Sequence, residues 1–373
     1  MRTMPKAAAL LLVIVIIAGC GDQRILEKQG FIQSTGYDLN GTKNDEKDNR
    51  LMITVDIPKS DPEQRMQRET LTAIAHSSKE AKILFAGQTE LSLVSGQLRS
   101  TLFGVSLAKT GIWKHIDTLV RDPSISQRVK IVVVNGRAHD LLVRDYPQHP
   151  RAGQYIDRML EKESALMSFP LVTIYDFSRD YFDDGIEPIA PIIRENKKNI
   201  SFDGIALFKK DRYITKIESK QSLIFSMMKQ NFKKGEISMK LGDGSKKQEY
   251  LLFSSVISNR NVKVKRSTKG NFNIQINIVV KGSVLEYSGS HELSKDYDRK
   301  KIEKRMAEYI ENEAAALMAT MQKHNVDSLG IGRNVRNSLS YEEWNKLDWN
   351  KEYPDADIRI SARIVIKDFG KFK

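Results

Sequence analysis

One cysteine is the residue of this chain best suited to covalent chemistry. Cys20 is the only cysteine among 373 residues, and a cysteine thiolate is the best nucleophile among side chains for attack on a lipid donor. It follows Arg2, Lys6 and an apolar run from Ala7 to Ala18. That run is too short for a membrane-spanning helix, which needs about 20 apolar residues. Its length and its basic flank are typical of a secretory signal peptide.

The residues just before Cys20 are small enough to enter a peptidase cleft. Ile17, Ala18, Gly19 and Cys20 resemble the lipobox of bacterial lipoproteins, with Ile where Leu is more usual. The resemblance implies transfer of diacylglycerol to Cys20 and cleavage between Gly19 and Cys20. Two acyl chains anchor a protein stably, because each buried methylene contributes about 0.8 kcal/mol. The alternative is an N-terminal membrane helix with Cys20 as a bystander, although no second apolar stretch follows in the sequence.

The other reactive side chains form no catalytic or metal-binding pattern. The sequence contains no GxSxG nucleophile elbow, Walker A loop or GxGxxG turn. Asp183-Asp184 and Glu342-Glu343 are the acid pairs that a wall-cleaving enzyme could use, but they lie at a Gly/Pro turn and at a predicted helix start. We therefore predict no enzyme, no metal site and no cofactor beyond the covalent lipid on Cys20, a diacylglycerol with or without an N-acyl chain. No pair at metal-ligand spacing occurs among the six histidines, His76, His115, His139, His149, His291 and His324.

Aromatic residues gather near the end of the chain. Trp344, Trp349 and Tyr353 lie with Tyr341 in a short polar stretch. Trp and Tyr often form the centre of binding interfaces, so the first three are a candidate interface, either a ligand shelf or an anchor for a partner. The alternative interpretation is that they close a core beneath a loop.

The charge of the chain is strongly basic. The formal net charge is +13, and losing Arg2 and Lys6 with the signal peptide would lower it by two. An exported, lipid-anchored protein does not meet nucleic acid, so we predict no nucleic-acid partner. An anionic membrane surface or wall polymer is the better match. The alternative is an ordinary solvated surface, because the lysines are dispersed along the sequence.

The first half reads as alternating strands and helices. A strand–helix–strand–helix order at this spacing predicts parallel pairing and an α/β layer. An Asp-Pro-Glu start signal further predicts a helix from Asp61 to Lys79, with Met66, Leu71, Ile74 and Ala75 roughly on one side. The other predicted elements are strands over 31–37, 51–57, 98–104 and 129–134 and helices over 112–121 and 137–144.

The second half reads as a strand-rich α+β region. Apolar residues alternate with polar ones over 271–281 and 357–367, and a single apolar stripe predicts a long helix at about 297–322. The predicted fold class is therefore mixed, with α/β followed by α+β. A Pro/Gly-rich stretch places the main boundary between 185 and 200. The predicted divisions are a signal peptide (1–19), a lipidated tether (20–30), an N-terminal domain (31–190) and a C-terminal domain (200–373) that could split near 230–245.

Several passages in order resemble the GerC-type spore germination lipoproteins, the C subunits of germinant receptors. They run through essentially the whole mature chain. Two departures are Gly21, where the family usually has Trp, and Gly96-Gln97, where it usually has Gly-His. The passages that carry the resemblance are Cys20-Gly21-Asp22, Gly30-Phe31-Ile32, 108–112, 121–125, 135–142, 203–211, 327–332, Trp344, Trp349 and the last strand.

The resemblance implies a non-enzymatic, lipid-anchored subunit that is needed for the germination response. It implies a place on the outer face of the spore inner membrane, and two integral membrane partners of the A and B types. One partner would be transporter-like and the other would have cytoplasmic domains. Two other classes remain open. The first is a solute-binding lipoprotein that delivers a small germinant to a transporter-like subunit, and the second is a wall hydrolase.

Overall fold

A computed structural model describes residues 28–41, 50–59, 68–166, 169–196, 198–242, 248–266 and 272–370. The predicted signal peptide, Cys20 and the tether as far as residue 27 lie outside these residues, so the predictions about them stay predictions. Across the described ranges, no helix has the length and apolar character needed to span a membrane.

The first half of the chain contains ten strands and six helices within the described residues. The strands are β1 (Gln29–Phe31), β2 (Ser34–Leu39), β3 (Leu51–Pro58), β4 (Arg68–Ala75), β5 (Ser92–Val94), β6 (Ser100–Gly104), β7 (Lys130–Val134), β8 (Ile189–Glu195), β9 (Ile200–Lys209) and β10 (Arg212–Glu218). The helices are α1 (Ser78–Ala86), α2 (Val105–Ala108), α3 (Trp113–Val120), α4 (Ala138–Val143), α5 (Ala152–Ala165) and α6 (Ile174–Phe182).

The second half begins with a short 3₁₀ turn (Ser219–Gln221) and a second 3₁₀ turn (Tyr353–Asp355) precedes its last strand. The described strands are β11 (Ile237–Leu241), β12 (Glu249–Arg266), β13 (Phe272–Tyr287) and β14 (Asp357–Asp368). The described helices are α7 (Ser222–Lys229), α8 (Asp296–Lys323), α9 (Ile331–Arg336), α10 (Tyr341–Lys346) and α11 (Trp349–Glu352).

Eight strands of the first half form one sheet in the order β10-β9-β8-β7-β6-β2-β3-β4. Strands β6 and β7 are parallel, as predicted. Strands β2 and β8 also run parallel to them, and the flanking strands are antiparallel. Every residue of β6 and β7 is buried, which is characteristic of parallel strands with helices on both faces. A separate pair, β1 and β5, joins the start of the described chain to the segment after α1.

The predicted helix from Asp61 to Lys79 is wrong over residues 68–75. Residues 60–67 lie outside the described part, and residues 68–75 form strand β4, in which Leu71, Ala73 and Ala75 are buried in alternation. Antiparallel pairing with β3 fixes the strand, and this tertiary contact overrides the local helix-start signal. The helix of this region is α1, whose N-cap Ser77 accepts a hydrogen bond from the backbone N–H of Glu80 (3.2 Å).

The first sheet continues beyond the predicted boundary between 185 and 200. Strands β9 and β10 form a hairpin that belongs to the first sheet, because β9 pairs antiparallel with β8. The run from Asp203 to Phe208 is buried throughout, as expected for a strand inside the sheet, with β8 along one edge and β10 along the other. The change from the first large sheet to the second comes later, between β10 and β11, where the buried helix α7 lies.

The second half is a four-stranded sheet in the order β11-β12-β13-β14, covered by α8. The long helix and both alternating strands are present as predicted. The stripe of α8 that faces the sheet is buried, namely Ile302, Met306, Ile310, Ala314, Leu317 and Met321. The matching face of β13 is buried as well, namely Phe272, Ile274, Ile276, Ile278 and Val280.

Candidate functional site

The two halves interlock where residues 183–187 lie against residues 327–336, and we call this contact the junction. The backbone N–H of Arg333 donates to the carbonyl of Gly185 (3.0 Å), and the N–H of Glu187 donates to the carbonyl of Asp327 (2.9 Å). A Cβ atom on Gly185 would lie 2.7 Å from the nitrogen of Arg333. One on Gly332 would lie 2.5 Å from Trp349 Nε1. Glycine is therefore required at both positions for these segments of the chain to approach this closely.

Acidic residues of the first half and arginines of the second form a network across the junction. Arg333 donates from Nε to Asp183 (2.8 Å) and from Nη2 to Asp180 (2.9 Å). Arg336 donates to Asp183 (3.0 Å) and to Asp184 (2.7 Å). Paired arginine contacts of this kind fix geometry as well as contributing energy.

The pKa of Asp183 excludes it as a proton donor near neutral pH. Burial acts to raise this pKa, but hydrogen bonds from the Gly185 N–H and from Arg336 and Arg333 outweigh it and hold the pKa below its usual range. Asp183 is therefore ionised and paired, which is the opposite of what a general acid needs. The other candidate acid pair is also used structurally, because Glu343 forms a capping box with Ser340 at the start of α10.

Asp327 is the buried centre of the junction. Its carboxylate accepts hydrogen bonds from the backbone N–H groups of Ile331 (2.9 Å) and Gly332 (2.6 Å) and from Nε1 of Trp349 (2.9 Å). Gly330 supplies the left-handed turn (φ +70°) that directs those amides at the carboxylate. Burial raises the pKa of Asp327 despite these three donors. The carboxylate of Asp327 thus holds the first residues of α9 against Trp349 of α11.

The three aromatic residues of the predicted interface are buried, which favours the alternative interpretation that they close a core. Trp344, Trp349 and Tyr353 are only 7%, 5% and 1% exposed. Trp344 donates from Nε1 to Asp184 (2.8 Å), and Tyr353 donates from its hydroxyl to the carbonyl of Val326 (3.3 Å). The rings are packed inside the junction and have no free face for a partner. Of this group only Tyr341 is exposed, at 80%.

A lysine ammonium also lies inside the junction. Lys229, at the end of α7, donates from Nζ to the carbonyl of Ser328 (2.6 Å). Although the side chain as a whole is partly exposed, its ammonium is in the interior. Burial lowers the pKa of this lysine to about 8, against the attraction of Asp180 and Asp327. The ammonium therefore loses its proton far more easily than an exposed lysine does.

This pKa predicts an unusual pH dependence of stability. Between about pH 8 and 10.5, the ordinary pKa of a lysine, the unfolded chain holds a proton on Lys229 that the folded chain has lost, so the free energy of unfolding rises with pH there. The rise is up to about 3 kcal/mol for this one group. We expect Lys229→Met to abolish this rise in the free energy of unfolding between pH 8 and 10.5, as measured by urea titrations. Lys233→Met, at an exposed lysine, should keep the rise, and an equal rise in both variants would contradict the assignment.

The junction has very little empty space. A cavity of about 40 Å³ is lined by Asp183, Glu187, Lys209, Asp327 and Trp349 among others. Pockets that hold small molecules usually have volumes of about 300–1,000 Å³, so this cavity is too small for an amino acid or a sugar in this state. A larger open groove of about 840 Å³ runs along α5, within the first half.

The surroundings of two histidines account for them without a metal ion. No group of three or more potential ligands from His, Cys, Asp or Glu occurs in the described ranges. His115 is buried and stacks on Tyr37 (5.9 Å between ring centroids), and burial lowers its pKa to about 4. His139 shares a hydrogen bond with Thr54 (3.0 Å). These two histidines serve packing and hydrogen bonding.

The register of the second sheet gathers basic residues that are dispersed in the sequence. The side chains opposite the α8 face alternate along three neighbouring strands. We call this surface the basic face. Over the stretch from Asn273 to Lys281 and its paired residues, its charged members are Lys263, Lys265, Lys281, Arg359 and Arg363 with one acid, Asp357.

Comparison with known proteins identifies the architecture. Two family models match in the order of the two halves, a "Spore germination protein N-terminal domain" over residues 22–195 and a "Spore germination B3/GerAC like, C-terminal" domain over residues 203–370. Together they span nearly the whole chain. The chain belongs to the GerC-type spore germination family that these models describe.

Individual relatives match this chain along nearly their full lengths. The spore germination protein GerQC of Bacillus cereus is 23% identical over 98% of this chain and 99% of its own length. The putative spore germination protein YfkR of Bacillus subtilis (strain 168) is 22% identical over 99% of this chain and 97% of its own. The crystal structure of the GerBC protein has the same fold, with a TM-score of 0.57 at 14% identity, covering 91% of this chain and 99% of that one.

Proposed function

We propose that this chain is the lipid-anchored, non-enzymatic C subunit of a spore germinant receptor. It would be held on the outer face of the spore inner membrane through Cys20, beside two integral membrane subunits of the A and B types. The observation that carries the proposal is the match of both family models, in order, across the two halves. The lipobox-like end of the apolar run supplies the attachment.

The junction favours a subunit that acts as one body over a hinged binder. A two-lobed solute-binding protein closes around its ligand by moving its lobes. Here the first half and the second are joined by arginine–aspartate pairs and by two glycines in close approach. A protein built in this way would transmit contacts between partners rather than trap a solute between its halves.

Co-purification from spore membranes tests the proposal. We expect an affinity-tagged chain, solubilised in mild detergent, to bring down two integral membrane proteins in amounts comparable to its own. A matched preparation of Cys20→Ala should yield far less of both. Isolation of the wild-type chain alone, under conditions that keep other membrane complexes intact, would contradict the proposal.

The groove along α5 is the observation that favours the solute-binding alternative. His149 stacks on Tyr155 (3.9 Å between ring centroids) at its wall, and Arg151 and Arg158 supply positive charge. A germinant carboxylate would bind there if this chain were a solute carrier. We expect calorimetry with amino acids and sugars to give no heat of binding. Micromolar binding that Arg158→Ala removes would favour the alternative, and release of reducing ends or peptides from peptidoglycan would favour a hydrolase.

A further inference from the structure

Helix α1 exposes apolar side chains next to the point where the described chain begins. Ile83 is 75% exposed, on the side of the helix opposite the buried Ala81 and Phe85, and Leu84, on the flank between the two sides, is 43% exposed. Lys82 is exposed beside them and forms no ion pair with any residue in the described ranges. The end of α1 thus presents two apolar side chains and one free ammonium to the surroundings.

The same end of the helix is close to the tether. After α1 the chain forms β5, which contacts α1 and pairs in parallel with β1. Lys28 immediately precedes β1, and Gly30 packs against Leu91 and Leu93. The chain from Cys20 to Lys28 spans at most about 28 Å when fully extended. A lipid on Cys20 therefore keeps Lys28 within about 28 Å of the bilayer, with β5 and α1 beside it.

We propose that Lys82, Ile83 and Leu84 lie in the headgroup region of the bilayer that holds the Cys20 lipid, and so fix the orientation of the first half on the membrane. This inference rests on the proposed lipid anchor. Apolar side chains enter the boundary of headgroups and acyl chains, and a neighbouring lysine is attracted to anionic phosphates. Lys79, one turn earlier on α1, is paired with Asp122, so Lys82 is the cation available to lipid.

A bilayer fits this patch better than a protein does. A specific protein interface buries at least about 1,000 Å² in total, and two apolar side chains with one lysine fall far below that area. A membrane contact can be much smaller when the chain is already attached, because the tether raises the effective concentration of the surface.

Spin labels on single cysteines test the proposal. If Cys20 is blocked by lipid, a cysteine introduced elsewhere is the only free thiol of the full-length chain. We choose Ile83→Cys as the test position. Phe182→Cys is the matched control, since Phe182 is also strongly exposed (71%). It lies beside the turn before β10, at the opposite edge of the first sheet from β4 and α1.

The processed protein is reconstituted in vesicles of phosphatidylglycerol and phosphatidylethanolamine without any other protein. We expect the label at 83 to have at least a threefold higher ratio of collisions with oxygen to collisions with a water-soluble nickel chelate than the label at 182. Equal ratios would overturn the proposal. A higher ratio at Lys263→Cys, on the basic face, than at Ile83→Cys would also overturn it. Reaction of the unsubstituted chain with the label would mean a free Cys20 thiol, which refutes the lipid anchor itself and this inference with it.

Discussion

A chain carrying Cys20→Ala is expected to lose its acyl anchor and almost all of its membrane association. Without the thiol there is no nucleophile for transfer of diacylglycerol, because Cys20 is the only cysteine. Two acyl chains contribute about 0.8 kcal/mol for each buried methylene. We expect the ratio of membrane-bound to free protein in fractionated spores to fall by at least about 100-fold. The rate of germination in nutrient should fall with it.

The fold should be unaffected by that change. The described core begins at Lys28, so Cys20→Ala should leave the thermal midpoint of the purified chain unchanged. Gln23→Ala, in the tether but away from the acylated atom, is the matched control and should keep both membrane association and response. Normal membrane placement and a normal germination rate in Cys20→Ala would contradict the need for a lipid.

Asp327→Ala is expected to have the largest effect on stability. Removing this carboxylate leaves three buried donors without an acceptor, the N–H groups of Ile331 and Gly332 and Nε1 of Trp349. It also removes one of the two carboxylates, with Asp180, whose charge favours the ammonium of Lys229. Each buried donor left unpaired costs about 1–3 kcal/mol, so the three together cost at least about 3 kcal/mol. We expect the free energy of unfolding in urea to fall by that amount, with the fluorescence of Trp349 reporting the loss of the junction.

An exposed aspartate of the same region provides the control for that measurement. Asp348 precedes α11 and pairs with Lys351 on the surface (3.1 Å), where its side chain is 52% exposed. Exposed pairs are worth at most about 1 kcal/mol. Asp348→Ala should therefore change stability by less than that. A loss of similar size in both variants would mean that Asp327 has no special place in the junction.

Long amphipathic elements were predictable from the sequence because their pattern is local. The stripe of α8 and the alternation of β13 each repeat several times within one element, so a single interpretation satisfies all of their apolar residues. Strand β4 was predicted as a helix for the opposite reason. Its segment is short, and the signal that starts with Asp61-Pro62 is local, whereas the pairing with β3 that makes it a strand is not.

The junction could not be predicted, because it joins two short segments from distant parts of the chain. Asp183-Asp184-Gly185 forms a turn, as the sequence indicates, whereas Gly330-Ile331-Gly332 begins helix α9. Neither short segment carries a local signal that predicts contact with the other. The signal that was available is the mixture of two acids before one glycine and two arginines after another, Arg333 and Arg336. Such charges become informative only when a fold places them together.

The basic face illustrates the same limit for charge. Lys263 and Lys265 lie about a hundred residues from Arg359 and Arg363 in the sequence, where they read as a dispersed, solvated surface. Strand register brings them together, because β13 separates β12 from β14 and aligns Lys263 with Gln275 and Gln275 with Arg359. A one-residue change of register would send such a set of side chains to the opposite face.

The attachment at Cys20 supports the proposed location, the proposed partners and the inferred orientation of α1, and one measurement tests it directly. Mass spectrometry of the N-terminal peptide of the chain isolated from spore membranes should find Cys20 as the first residue, with a diacylglycerol on its sulfur and residues 1–19 removed. A peptide that carries no fatty acid, or that still contains the residues before Cys20, would contradict the account.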